Sequence, residues 1–340
     1  MIPKVMIVLG SGSDMAVAEK SMNIFEKLEI PYSLKIASAH RTPNLVREIV
    51  RQGTDAGIEV FIGIAGLAAH LPGAIAAYTP RPVIGVPVDV KTNGIDALES
   101  CVQMPYPSPI ATVGIDRGDN GAILAAQFMA IHDEEIRQKV INLRKEYKKK
   151  VFESNKAVDE FEDKKYLVKD FMNVDNIKIE KDELIDIDSS LINKDADVAI
   201  IVGRHSDLIT AKKVSVTLDR LKISYNMKVV CPIRSNSKFK SYIKEVENSK
   251  IFIGISSNSS QVTGALVGLT DRPVIGVPCE NENGNDYMLT TVNMPPGVPV
   301  ATVGINNGRN AAVLAGEILS IKDTNIIEIL TKLKDKKINL

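Results

Sequence analysis

Pro82–Pro87, PVIGVP, returns letter for letter as Pro273–Pro278, an offset of 191 residues. Outward from this pair the chain keeps repeating itself. Ala111–Ile115, ATVGI, recurs as Ala301–Ile305 at an offset of 190, and Gln103-Met104-Pro105 is echoed by Asn293-Met294-Pro295 at that same offset. Nearer the starts, Val8–Asp14 (VLGSGSD) aligns with Ile201–Asp207 (IVGRHSD) at an offset of 193. Offsets that drift by so little mean two copies of one domain with short loop changes. The chain therefore divides into residues 1–150, a charged linker or arm over 151–197, and a second copy over 198–340.

The repeated block also sets the fold class. PVIGVP is a short continuous apolar run, and the first copy holds others at Val5–Leu9, Tyr32–Ala37, Val60–Ile64 and Ile110–Ile115. Continuous rather than alternating apolar runs, separated by helical patterns, belong to strands buried on both faces, hence to a parallel sheet covered by helices. Each copy is thus expected to be a three-layer αβα domain with a mainly five-stranded parallel sheet. Between the copies there is no glycine or proline from Ala122 through Val202. There Ile136, Val140, Leu143, Tyr147 and Val151 predict an amphipathic helix beginning near Asp133, and the rhythm is lost after Phe152.

Composition excludes several classes of function. Lys+Arg and Asp+Glu both total 42, so no basic excess points to nucleic acid and no acidic tail to a solvating role. Cys101, Cys231 and Cys279 lie far apart with no CxxC spacing, which reads as small core residues in a reducing compartment and not as metal or disulfide partners. No segment approaches the ~20 apolar residues of a membrane span, and Val5–Leu9 is too short for a signal segment. The protein is expected in the cytoplasm.

Ligands of doubly wound sheets bind beyond the carboxyl ends of the strands. After the first run comes Gly10-Ser11-Gly12-Ser13-Asp14. Small residues at a strand-to-helix turn leave backbone N–H groups free for a phosphate, with the Ser11 and Ser13 hydroxyls as added donors; alternatively Ser13 or Asp14 simply caps the helix. The loop has neither GxGxxG nor the P-loop pattern, so neither a dinucleotide nor ATP is indicated. After the second run comes Ser38-Ala39-His40-Arg41-Thr42-Pro43, with Pro43 suited to a first helical position and Thr42 to its cap. Arg41 can hold a phosphate or carboxylate in two hydrogen bonds, and histidine is the residue type suited to proton transfer near neutral pH. After the third run comes Ala65-Gly66-Leu67-Ala68-Ala69-His70-Leu71-Pro72-Gly73. Two of the chain's four histidines, an arginine and an anion loop thus fall at three consecutive strand ends.

GSGSD, SAHRTP and AGLAAHLPG, followed by PVIGVPV, QMP and ATVGI, closely resemble the PurE family, the N5-carboxyaminoimidazole ribonucleotide mutases of purine biosynthesis. The resemblance covers essentially all of residues 1–150. It implies a flavodoxin-like fold, a homo-octamer in one-domain members, and an activity with no metal or organic cofactor that acts on an imidazole ribonucleotide and CO2. It further implies that Ser11 and Arg41 hold the 5′-phosphate, that Asp14 takes the ribose hydroxyls, and that Ser13 is among the substrate-binding residues. Ser38, Ala39, Ala65, Gly66, Leu67 and His70 would then surround the base and carboxylate, with His40 as general acid and base. A sister class, the aminoimidazole ribonucleotide carboxylases, uses free CO2 and typically has a lysine at the position of Arg41 and a different loop at that of AGLAAHLPG. Arg41 and His70 favour the mutase.

The second copy departs at the chemistry. Arg204 stands for Ser11, Cys231-Pro232-Ile233-Arg234 for Ser38–Arg41, Ser256-Ser257-Asn258 for Ala65–Leu67, and Gln261 for His70. Isoleucine cannot carry a proton, so the first copy is expected to be catalytic and the second structural. If two-domain chains rebuild the octamer, four suffice. A non-catalytic nucleotide sensor is the competing reading, and the complete His40, Arg41 and His70 set speaks against it.

Overall fold

The apolar runs become strands because each places nonpolar side chains on both faces of a sheet that helices cover. The computed structural model describes residues 2–154, 157, 190, 192–281, 283–284 and 287–338. The first half runs β1 (Val5–Leu9), α1 (Met15–Leu28), β2 (Tyr32–Ile36), α2 (Pro43–Asp55), β3 (Val60–Gly66), α3 (Leu71–Ala77), β4 (Val83–Val88), α4 (Ile95–Val102), β5 (Ala111–Thr112), α5 (Gly118–Met129) and α6 (Glu134–Ser154). The second half repeats it as β6 (Val198–Val202), α7 (Leu208–Leu221), β7 (Tyr225–Val229), α8 (Asn236–Glu245), β8 (Ile251–Ser256), α9 (Gln261–Leu269), β9 (Val274–Pro278), α10 (Met288–Val292), β10 (Ala301–Thr302), α11 (Gly308–Leu319) and α12 (Thr324–Ile338).

Within each half the strands are parallel, in the orders β2-β1-β3-β4-β5 and β7-β6-β8-β9-β10, the doubly wound flavodoxin-like arrangement. Helices α2, α3 and α4 pack on one face of the first half, and α1, α5 and α6 on the other. Two expectations need correcting. The run Tyr32–Ala37 is not buried on both faces, because β2 is the edge strand and its residues are half-buried or exposed. The run Ile110–Ile115 contributes only Ala111 and Thr112 as strand, since β5 lies at a crossing: beyond it the chain meets β10 in antiparallel sense, Thr112 opposite Thr302.

That crossing joins the halves into a ten-stranded sheet. On the α1 and α5 face, the buried side chains of both halves form one cluster that also takes in α7 and α11. The QMP and NMP echoes serve this seam. Asn120 donates to the carbonyls of Met294 (3.2 Å) and Pro295 (3.0 Å), and its counterpart Asn310 donates to those of Met104 (2.9 Å) and Pro105 (3.4 Å). Both asparagines are 1% exposed, so each satisfies carbonyls that water cannot reach. Within the first half α1 and α5 cross closely, and a Cβ on Gly118 would fall 2.1 Å from the carbonyl oxygen of Val17.

The expected helix begins where Asp133 Oδ1 accepts from the N–H of Ile136 (3.1 Å); Ile136, Val140 and Leu143 are buried, whereas Val151 is exposed. The rest of the expected linker lies mostly outside the described residues. Helix α6 reaches across the seam, where Arg144 donates to the carbonyls of Thr270 and Val267. Helix α12 returns the contact, Lys334 donating to the carbonyls of Thr79 (2.9 Å) and Ala76 (3.3 Å).

Lys334 also meets the buried carboxylate of Glu317 at 2.8 Å, at the position Gln127 fills in the first half. Burial pushes the Glu317 carboxyl up to about 7 against the pull of Lys334. Between the ordinary glutamate range and about 7 the folded chain therefore binds more protons than the unfolded one, and this group's contribution to stability falls as pH rises through that window. The Glu317→Gln variant, compared with the parent by denaturant unfolding, is expected to gain on the order of 1–3 kcal/mol from pH 5 to pH 8. A stability difference that does not change with pH would contradict this.

Candidate active site

Because β1 lies between β2 and β3, the loops that follow these three strands meet at one edge of the sheet. They enclose a cleft of about 490 Å3, and every sequence-predicted site residue lines it: Ser11, Ser13 and Asp14 from the first loop, Ser38, Ala39, His40 and Arg41 from the second, and Ala65, Gly66, Leu67 and His70 from the third.

The first loop starts when the N–H of Gly10 donates to the Ile64 carbonyl (2.9 Å), prolonging the ladder by one bond. Ser11 is extended, and its Oγ accepts from the N–H of Ser13 (3.3 Å). Neither Ser13 nor Asp14 caps the helix, as one reading of the sequence allowed; Ser13 instead donates to Asp14 Oδ1 (3.1 Å). Asp14 is buried, and desolvation raises its pKa against the opposing hydrogen bonds of the Ser13 hydroxyl and the Ser11 backbone. Its carboxylate is suited to accept from hydroxyl groups.

The second loop is a tight turn closed by Thr42. Pro43 begins α2 as expected, but the Thr42 side chain makes no cap. Its Oγ1 accepts from the N–H of Ser38 (3.0 Å) and donates to the Ser38 carbonyl (3.2 Å), while Ser38 Oγ accepts from the N–H of Arg41 (3.2 Å). With its ends tied, the turn turns His40 and Arg41 outward, and both are exposed. Arg41 Nη2 donates to the Gly10 carbonyl (3.3 Å), which sets the guanidinium over the first loop. Among the described residues no carboxylate pairs with it, so its charge is available to an anion.

The third loop is held in unusual backbone shapes. Leu67 (φ 55°) and Ala69 (φ 37°) lie in the left-handed region, which costs non-glycine residues energy and often marks a site where geometry matters. Gly66 is required by space, since a Cβ there would fall 2.4 Å from Val90 Cγ2. The loop delivers His70 to the start of α3, exposed and without a capping bond. There His70 Nδ1 lies 2.8 Å from His40 Nε2, the rings tilted by 59°. One nitrogen donates and the other accepts, the roles following the tautomer, beside the Arg41 guanidinium and the buried Asp14 side chain. This arrangement can bind a phosphorylated ligand and move one proton to and from it.

Val90 was not anticipated. It stands at the carboxyl end of β4 and walls the cleft while 50% exposed. The strand-end rule could have found it, but an isolated valine carries no chemical signal.

The corresponding cleft of the second half measures about 200 Å3. Arg234 repeats the clamp of Arg41, donating to the Gly203 carbonyl (2.6 Å). Ile233, 71% exposed, fills the place of His40, and Cys231 Sγ donates weakly to Gln261 Oε1 (3.8 Å), where the first half has its histidine pair. Cys231 is thus a cleft residue and not the core residue expected of it; Cys101 and Cys279 are buried as expected.

Among the similar proteins are relatives that match the whole chain. One from Methanobrevibacter smithii, named as a probable N5-carboxyaminoimidazole ribonucleotide mutase, is 68% identical over 340 residues, covering 100% of each chain. One of the same name from Methanothermobacter thermautotrophicus is 50% identical, covering 99% of each. The mutase of Methanocaldococcus jannaschii is a shorter chain, 53% identical over 154 residues that span 45% of this chain and 96% of that one. The family model described as AIR carboxylase matches twice, at residues 4–150 and 197–339, which are the two halves of the sheet. The chain therefore belongs to the AIR carboxylase family, as a tandem member in which only the first copy carries the histidine pair.

Proposed function

We propose that this chain is an N5-carboxyaminoimidazole ribonucleotide mutase, which moves the carboxylate of its substrate from N5 to C4 in the first cleft and uses the second half as scaffold. The observation that carries this reading is the contact of His40 with His70 beside Arg41. Two full-length relatives bear the mutase name.

The chemistry asks little of the protein. The N5–carboxyl bond breaks to give CO2 and the free amine, and N5 takes up a proton. C4 of the electron-rich ring attacks the CO2, and the ring regains aromaticity when the C4 proton leaves. One proton is gained and one lost, so a single imidazole serves both steps. His40 is that shuttle. His70 holds the other end of the shared proton and keeps the His40 ring turned toward the substrate. Ser11, Ser13 and Arg41 hold the phosphate, Asp14 the ribose hydroxyls, and the turn of Ser38 and Ala39 with the Ala65–Leu67 backbone the base and carboxylate. Confinement of CO2 beside C4 supplies a proximity effect.

In a single chain Leu67 and Val90 are exposed apolar side chains that line the cleft. A homo-oligomer that covers them also closes the cleft. The expected assembly is four chains, so light scattering should return a mass four times 37.0 kDa. A mass near that of one chain would rule this out. The activity itself is tested by supplying the purified protein with either the N5-carboxylated ribonucleotide or the uncarboxylated one plus bicarbonate. Turnover of the first supports the mutase, turnover of the second alone makes it a carboxylase, and binding without turnover makes it a sensor.

A further inference from the structure

We infer that the cleft at the carboxyl ends of β6, β7 and β8 is a second, non-catalytic binding site for a small phosphate-bearing ligand. The cleft has gained positive charge where it lost its proton carriers. Arg204 enters it at the position of Ser11, and Arg234 keeps the place of Arg41, so two guanidiniums line a space that holds one in the first half. Among the described residues neither arginine is paired with a carboxylate.

The acidic residue at the end of β6 is withdrawn from the cleft. Asp207 is buried, with Oδ1 accepting from the hydroxyls of Ser257 (2.8 Å) and Ser206 (3.2 Å) and Oδ2 from the N–H of Ser257 (3.1 Å). Among the described residues, its counterpart Asp14 receives only the Ser13 hydroxyl from a side chain, and it stands on the cleft wall. The second cleft has therefore lost its reader of ribose hydroxyls while doubling its cationic groups. Size points the same way. At roughly 30 Å3 per water, the 200 Å3 cleft has room for phosphate or a pentose phosphate, and less than half the space of the first cleft.

Cys231 feels the same local field. Burial pushes its thiol pKa up, yet the backbone N–H groups of Arg234 and Ile233 and the Arg234 guanidinium outweigh this and hold it below the ordinary value. Donors that favour a thiolate also favour an oxyanion beside it.

The same thiol supplies the assay. Cys101 and Cys279 are buried, with thiols pushed up to about 12 and about 11, so a neutral alkylating agent such as iodoacetamide reports on Cys231 in the full-length protein. Inorganic phosphate and ribose 5-phosphate are expected to slow this alkylation saturably, relative to chloride at equal ionic strength. Whichever protects at lower concentration identifies free phosphate or a phosphate ester as the ligand. Arg204→Ser should raise the half-protecting concentration roughly 10-fold or more, whereas Arg41→Ala should leave it unchanged, separating this site from the first cleft. Protection by neither ligand, equal protection by chloride, or an Arg204→Ser curve that overlays the parent would overturn the inference.

Discussion

His40→Ala lowers kcat by roughly 10²- to 10⁴-fold, the range that a positioned general acid and base contributes, and leaves the unfolding midpoint of the protein unchanged. The imidazole is exposed on a turn tied by Ser38 and Thr42, so its removal opens no cavity and breaks no core contact. Its side-chain partner is His70, which lies in the same cleft. KM should move little, because the loss falls on a proton in flight and not on the bound phosphate. The repeat supplies the control. Ile233 occupies the same turn of the second half, and Ile233→Ala should leave kcat at the parent value. Equal losses from the two variants would place the chemistry in the wrong half.

Arg41→Ala is expected to show the opposite kinetic pattern. A guanidinium that holds a phosphate in charge-assisted hydrogen bonds is worth about 1.5–3 kcal/mol, so kcat/KM should fall roughly 10- to 100-fold, mostly through KM. Arg41→Lys keeps the charge and loses the fork, and should recover only part of the loss. The Gly10 carbonyl that Arg41 now meets at 3.3 Å lies on an exposed loop where water can replace the guanidinium, so stability should hardly change. A loss confined to kcat would instead put Arg41 among the groups that act on the reacting carboxylate.

The legible parts of this molecule were those with a local signature. Val5–Leu9 and Val83–Val88 are apolar on both faces, and their burial follows from composition alone. The strand-end rule then gathered the site, since each candidate residue sits within a few positions of the end of β1, β2 or β3. Nonlocal features stayed hidden. The seam pairs Thr112 with Thr302, 190 residues apart, and two residues are too few to show a strand pattern. Asn120 and Asn310 read as ordinary polar helix residues until the carbonyls of Met294 and Met104 are seen against them. Cys231 looked like a core residue because thiols usually are, and only the geometry of its turn places it in a cleft. The two histidines were each visible, but their contact depends on the left-handed residues Leu67 and Ala69, which no residue type announces.

The central claim is that the first cleft transfers a carboxylate directly within one bound substrate. The sharpest test supplies substrate with a 13C label in the N5 carboxylate, in the presence of excess unlabelled bicarbonate, and measures the label at C4 of the product. Retention of nearly all the label is predicted, because CO2 confined beside C4 is attacked before it escapes. A product that carries the isotopic composition of the bicarbonate pool would contradict the account.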